Sequence, residues 1–453
     1  MTRDALKRHK EVEKQNLAAG GDAKPNALWT YEGEVPFADS AVQRYRLGNG
    51  LKLLVLVDKS APVFSYMTWF NVGSRHEKVG KTGLAHLFEH LMFNETEAFK
   101  AGEFDRKLEE NGAESNAATW VDWTYYYESL PSDRLALAVK LESERMARLV
   151  LREPQVASEK EVVANERRYR VDDDVEGTGN ELLYKTAFTR HPYHWPTIGW
   201  MADILGFTPE DCAAFYRTFY APNNATIVVV GDVREPDVLT KVAAAYGPMA
   251  ASTIPVEDTH PEPAQGGERR ERLVKPTTTD KVMLGYRGPA LGDADHATLS
   301  VLNEVLFGGR ASRMHRALVI DEEIASDLRG WVSTFRDPGL YEMYVSARAG
   351  KNADDIERVL ATQIALVKES AVTDEELARA KARLELGMLQ GLDTTSGKAE
   401  QIGFYETVLG DPAAAFRRLE AYRRAGPGDL LRVARRYLVD TERTVVRIHP
   451  EAS

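Results

Sequence analysis

One run of punctuation occurs twice in this 453-residue chain. Pro209, Asp211, Phe219 and Thr226 are spaced 2, 8 and 7 residues apart, and Pro427, Asp429, Tyr437 and Thr444 repeat those intervals. Each run reads as a helix opened by a first-turn proline and followed by a β-branched strand. A helix-and-strand unit that recurs once, half a chain later, points to two homologous halves. Between them, the stretch 247–270 carries Pro248, Pro255, Pro261, Pro263, Gly266 and Gly267 and reads as the linker. The expected organisation is an N-terminal extension at 1–40, a first domain at 41–246, the linker at 247–270 and a second domain at 271–453. Domains of roughly 200 residues bury a sizeable core.

Strand signals fall at Tyr45–Leu56, with a turn at Gly48-Asn49-Gly50, at Val63–Val72, at Ala113–Ser129 and at Thr226–Val230. Helix signals fall at Glu103–Asn111, Leu135–Leu149, Pro154–Val171 and 208–219. Residues 20–40 read as an extended lead-in and Met1–Ala19 as a charged helical stretch. The expected class is α+β: each half an antiparallel sheet with helices packed on one face.

Charge and cysteine content exclude several functions. Acidic residues outnumber basic ones by 69 to 58, a net charge of −11, which argues against nucleic acid as the main partner. Cys212 is the only cysteine, so neither an intrachain disulfide nor a thiolate zinc cluster can form. Apolar runs such as Leu53–Val57 and Ile227–Val230 are too short to span a bilayer. The N-terminus lacks an apolar signal core, so the expected compartment is the cytoplasm, or the periplasm if a leader has been removed.

Residues 80–93 carry the chemistry. On a helix, His86 and His90 share a face at i and i+4, with Glu89 beside them. Leu84, Leu87, Phe88 and Leu91 form a separate stripe for anchoring, Thr82 is the expected N-cap, and the His86, His90, Phe93 edge is expected to face a cavity. Two neutral imidazoles suit zinc, and a neighbouring glutamate can take a proton from water. The same five residues also describe a surface histidine pair. A catalytic site needs a third ligand, and Glu159, Val163 and Glu166 fall at 0, 4 and 7 on one helical stripe. With Arg167, Arg168 and Arg170 following, that stripe also fits a solvated charged face. Gly80-Lys81-Thr82 hints at a phosphate loop, but Arg75 stands where its first glycine belongs.

Taken together, H-x-x-E-H at 86–90, Glu166 after 75 intervening residues and Glu159 seven positions before it resemble the inverted-zincin metallopeptidases. These form the pitrilysin, insulin-degrading enzyme and mitochondrial processing peptidase superfamily, here in a short two-domain, bacterial-type subunit. The likeness runs from about residue 44 to 449. It includes Asn116-Ala117-Ala118-Thr119, His191-Pro192-Tyr193, Tyr220-x-Pro222-x-Asn224 and Gly308-Gly309-x-x-Ser312-Arg313. It implies His86, His90 and Glu166 as ligands of one zinc per chain, Glu89 as general base and Glu159 as a carboxylate supporting a ligand or the water. Manganese or cobalt remains open as the metal. Asn116 and Ala117 would lie on an edge strand that takes the substrate as an added strand. His191 or His194 is a further candidate ligand, with turn packing as the alternative.

The resemblance also implies an endopeptidase acting on unstructured peptides inside a closed chamber, each chain forming half of a clamshell. The other reading is a non-catalytic, peptide-holding scaffold subunit. One departure concerns the partner. The family's substrate-steadying Arg and, seven residues later, Tyr fall on Val319 and Ser326. A heterodimer with a related subunit that carries the Arg/Tyr pair is therefore expected; in the alternative homodimer, Arg329 or Arg336 would do that work.

Overall fold

The computed structural model describes residues 29–257 and 261–451, so the expected helical stretch Met1–Ala19 lies outside it. The first sheet contains β1 (Trp29–Phe37), β2 (Ser40–Leu47), β3 (Lys52–Val57), β4 (Val63–Phe70), β5 (Glu114–Thr119), β6 (Thr124–Pro131) and β7 (Ala225–Gly231). Their order is β1-β2-β3-β7-β4-β6-β5. The second sheet contains β8 (Arg269–Lys275), β9 (Lys281–Arg287), β10 (Ala325–Val332), β11 (Leu340–Ala347) and β12 (Arg443–Pro450), in the order β10-β11-β9-β12-β8. That order matches β5-β6-β4-β7-β3, so the second sheet repeats the first without β1 and β2.

Neither sheet is wholly antiparallel. β3 pairs with β7 in parallel, and β12 with β8. In each, the last strand returns through helical connections long enough for a parallel crossover. The lead-in expected at 20–40 is also corrected, because β1 is a full strand of the sheet rather than part of an extension. Trp29, Tyr31 and Phe37 are buried on alternate positions, and the pairing with β2 shifts register at Gly33, whose φ is +108°. That bulge absorbs a residue without breaking the strand.

The described helices are α1 (Leu84–Leu91), α2 (Glu103–Glu109), α3 (Leu135–Arg148), α4 (Glu153–Arg167), α5 (Val175–Ala187), α6 (Met201–Gly206), α7 (Pro209–Phe219) and α8 (Glu235–Tyr246). After the linker come α9 (Ala294–Phe307), α10 (Ala353–Glu369), α11 (Asp374–Gly391), α12 (Thr395–Leu409), α13 (Ala414–Arg424) and α14 (Pro427–Tyr437). On one face of the first sheet, Leu53, Val55, Tyr66, Tyr126 and Val229 pack with Leu87, Phe88, Leu141, Val163 and Phe215 from the helices.

The opposite face is covered too, contrary to the one-faced expectation. Leu54, Leu56, Met67, Trp69 and Val228 pack with Ala399 and Ile402 of α12. A strand buried on both faces reads as a near-continuous apolar run, which describes β3 and β7, and β4 with Ser65 and Thr68 as its interruptions. Each such side chain contributes about 1.5–3 kcal/mol when fully buried, so leaving that face in water would be costly.

The compact units therefore depart from the contiguous division 41–246 and 271–453. One comprises 29–164, Thr197–Glu257 and Gly391–Phe416; the other comprises Asn165–Pro196, 261–390 and 417–451. The second unit has the matching arrangement, with α5 packed along β12, β8 and β9. Its core gathers Val282, Leu284, Leu302, Leu306, Met343, Ile356 and Val433. Among the described residues, no helix is long and apolar enough to cross a membrane.

Candidate metal centre

Helix α1 is held by its apolar side. Leu84, Leu87, Phe88 and Leu91 are buried, Phe88 packs on Phe215, Tyr216 and Tyr220, and the Phe88 carbonyl accepts from the Tyr126 hydroxyl at 2.9 Å. Phe93 packs into the same core against Phe104 and Tyr126, so it does not edge the site as expected. Nor is Thr82 the N-cap. Gly83 takes that position with φ +95°, while the Thr82 hydroxyl donates to Asp203 (2.6 Å) and accepts from the Trp200 N–H (3.0 Å). A Cβ at Gly83 would lie 2.5 Å from the Ile198 carbonyl oxygen, so a side chain is excluded there twice over.

The remaining side of α1 presents the imidazoles. His86 and His90 have ring centroids 5.0 Å apart. Val156, Val163 and Ala164 of α4 sit in the first core, which brings the last turn of α4, and Glu166 with it, to the histidines. His86, His90 and Glu166 each offer one ligand atom, and these atoms lie within 4.8 Å of one another. Ligands about 2.1 Å from a common tetrahedral ion stand about 3.4 Å apart, a difference that side-chain rotation covers. Two imidazoles and one carboxylate are a donor set for catalytic zinc, so these residues fit the ion. His86 is buried and His90 and Glu166 are partly exposed, which leaves one side of the group open.

Around these three the supporting charges are specific. Glu159 Oε2 stands 3.8 Å from His90 Nδ1, and its other oxygen accepts from Asn94 Nδ2 at 3.1 Å. Glu166 Oε1 pairs with Arg170 Nε at 3.1 Å. After Arg167 the helix expected to run to Val171 changes to a π-helical turn, Arg168–Asp172. Such turns recur at functional sites. Burial raises the Tyr126 and Tyr220 hydroxyls above their ordinary range, and the nearby charge of Glu89 adds to that rise.

Asn116 and Ala117 lie on β5, which pairs only with β6 and so ends the sheet, with α1 packed against it. Asn116 Oδ1 accepts from the Ala117 N–H at 2.9 Å. His191 and His194 are not in the metal group. His191 Nε2 bonds Asp337 (3.1 Å) and its Nδ1 accepts from the Tyr193 N–H, while His194 Nδ1 bonds the His191 carbonyl. Lys81 pairs with Asp211 at 2.5 Å, so the Gly80-Lys81-Thr82 turn is tied by carboxylates. Cys212 is buried, and burial pushes its thiol up to about 12.

In the second unit Val319 packs on the core, and the Ser326 hydroxyl donates to the carbonyls of Ser346 and Ala347. Arg329 pairs with Glu176 and lies over the Tyr344 ring, 4.1 Å from its centroid. The sequence reading overlooked Glu77. Its carboxylate accepts from the backbone N–H groups of Gly83 (2.8 Å) and Ala85 (2.7 Å) at the start of α1. The separation in sequence is outside any capping-box spacing, so no local pattern signals it.

The family model described as insulinase (peptidase family M16) matches residues 53–199, and that described as the peptidase M16 inactive domain matches 206–384. Zinc protease PqqE of Helicobacter pylori is 31% identical over 409 residues, 89% of this chain and 92% of that protein. The probable mitochondrial-processing peptidase subunit beta of Arabidopsis thaliana is 24% identical, over 89% of this chain and 77% of its own length. Among solved structures, a protease from Helicobacter pylori superposes with a TM-score of 0.87 at 30% identity, covering 91% of this chain and all of that one. A peptidase M16 inactive domain from Pseudomonas fluorescens, at 19% identity and TM-score 0.81, shares the fold. With both models matched in order along the chain, it belongs to peptidase family M16, the insulinase family, as a two-domain subunit of the pitrilysin superfamily.

Proposed function

We propose that this chain is a zinc-dependent endopeptidase that hydrolyses unstructured peptides, with one zinc held by His86, His90 and Glu166. The observation that carries the proposal is the convergence of those three side chains, from two helices, with Glu89 on the same helix as the histidines. Relatives named as zinc proteases support the general kind of activity. When bound, zinc supplies Lewis acidity, which polarises a peptide carbonyl and acidifies water. Glu89 takes the proton of the attacking water on its carboxylate and delivers it to the nitrogen of the leaving amine. Glu159, 3.8 Å from His90 Nδ1, would steady the His90 imidazole as one of the groups that hold the ion. The β5 edge around Asn116 and Ala117 takes the peptide main chain as an added strand, replacing the Asn116 side chain on the Ala117 N–H.

The same proposal extends to assembly. The chain forms half of a clamshell, closed by a related subunit that brings the Arg and Tyr missing at Val319 and Ser326. Packed Val319 has no donor, and Ser326 spends its hydroxyl on backbone carbonyls. Arg329 is already engaged by Glu176, which weighs against the homodimer. The test is Glu89→Gln in the zinc-loaded protein with its partner. Loss of proton transfer lowers turnover by about 10²–10⁴ while metal content stays at one per chain. Near-normal turnover in that variant would refute the role of Glu89, and a wild-type chain that takes no metal would favour the scaffold reading.

A further inference from the structure

Gly73–Glu77, between β4 and α1 in the chain, bridges the β5–β6 turn and the start of helix α1. At one end of this segment, Ser74 N–H and Arg75 N–H donate to the carbonyls of Trp120 (3.2 Å) and Val121 (2.9 Å), in the turn that connects β5 to β6. Arg75 Nη1 pairs with Asp122 Oδ1 at 3.0 Å, and both side chains are buried. A Cβ on Gly73 would lie 2.3 Å from the Trp120 carbonyl oxygen, so the two backbones approach as closely as glycine permits. Two residues beyond Arg75, Glu77 reaches the other way, with Oε2 on Gly83 N–H and Oε1 on Ala85 N–H.

Those two N–H groups belong to the first turn of an eight-residue helix whose N-cap, Gly83, has no side chain to offer. They are donors that a helix leaves unsatisfied within itself. Glu77 is 8% exposed, so its carboxylate works in a place where water does not substitute for it. Two oxygens on the N–H groups of Gly83 and Ala85, with one peptide plane between them, fix both the position of the helix start and its rotation about its axis. Ala85, one of the two anchored residues, directly precedes His86. A carboxylate at a helix N-terminus also opposes the positive end of the helix dipole.

We propose that Glu77 is a positioning residue, which sets the rotation of α1, and so the direction of His86, Glu89 and His90, against the edge strand β5. The inference rests on reading His86, His90 and Glu166 as the metal ligands. It differs from an ordinary stability role in what it perturbs: metal affinity changes even where the protein is fully folded.

Zinc binding to the metal-stripped chain, measured by competition with a chromogenic chelator well below the unfolding temperature, tests it without relying on activity. Glu77→Gln keeps shape but offers one acceptor oxygen where two are needed, and it is expected to weaken zinc binding about 10- to 100-fold, the usual effect of removing a group that orients ligands. Glu77→Asp, which keeps the carboxyl group and shortens the reach to one N–H, is expected to fall between wild type and Glu77→Gln. Binding within twofold of wild type in either folded variant overturns the proposal. If Glu77→Gln does not fold, Glu77→Asp decides alone; if neither folds, Glu77 belongs to the fold and the assignment falls. A wild-type chain that binds no zinc would instead overturn the metal reading on which the inference stands.

Discussion

Replacing Gly403 by alanine tests whether α12 covers the outer face of the first sheet as described. In an isolated helix the change is favourable, by about 0.5–1 kcal/mol, because alanine loses less backbone entropy than glycine. Here the new methyl would sit 2.0 Å from Trp69 Nε1 and 2.5 Å from Trp69 Cδ1 and Cε2. Trp69 has no room to yield: it is 1% exposed, stacks on Tyr125 at 4.2 Å between centroids and abuts Trp123. Overpacking of this kind typically costs about 1–3 kcal/mol, so the clash cancels or outweighs the propensity gain, for a net loss of up to about 2.5 kcal/mol. Gly387, in α11, is the control, since nothing lies within 4 Å of its Cβ position and Gly387→Ala gains only the helix term. Urea unfolding followed by tryptophan emission reads both. If Gly403→Ala raises the midpoint as Gly387→Ala does, α12 does not pack on Trp69 and the exchanged arrangement is wrong.

Other consequences are simpler. His296 is fully buried with Nε2 on the Ser333 carbonyl at 2.8 Å, and burial, aided by the Arg418 guanidinium, lowers its pKa to about 3. Between about pH 6.5 and 3 the unfolded chain binds a proton that the folded chain refuses, so stability is whole above that window and falls by up to about 1.4 kcal/mol per unit as pH drops through it. Proton NMR should show the His296 ring silent from pH 8 to 4.5; a titration near 6.5 would contradict its burial. If peptides add to β5 as a strand, a folded protein should be cleaved far more slowly than its unfolded form, and equal rates would remove that role from Asn116 and Ala117. Loaded with zinc but alone, the chain should turn over unstructured peptides much more slowly than with its Arg/Tyr-bearing partner. Full activity in isolation would restore the homodimer.

What could be read ahead of the structure was whatever lies close in sequence or repeats at fixed spacing. The i, i+4 histidines and the two carboxylates seven apart are a matter of helical period, and both pairs lie on helices in the fold. β1 was within reach, since Trp29, Tyr31, Val35 and Phe37 alternate with polar residues. Gly33 and Pro36 disguised it, because they read as breakers where the structure uses a bulge and a sheet edge. The exchange of α5 and α12 was not legible. A helix laid on a sheet is apolar over much of its girth, as Ala399, Ile402, Gly403, Tyr405 and Val408 show, and periodicity does not say which sheet it covers. Glu77 was hidden for a similar reason: capping at a distance of six and eight residues depends on how the turn 78–82 folds back, which no local pattern encodes.

Elemental analysis of the purified chain beside its Glu166→Ala variant tests the central claim most directly. One zinc per wild-type chain, with much less than one in Glu166→Ala under the same dialysis, is the predicted result. A wild-type chain free of metal after zinc loading, or a Glu166→Ala variant that retains a full equivalent, would contradict a site built from His86, His90 and Glu166.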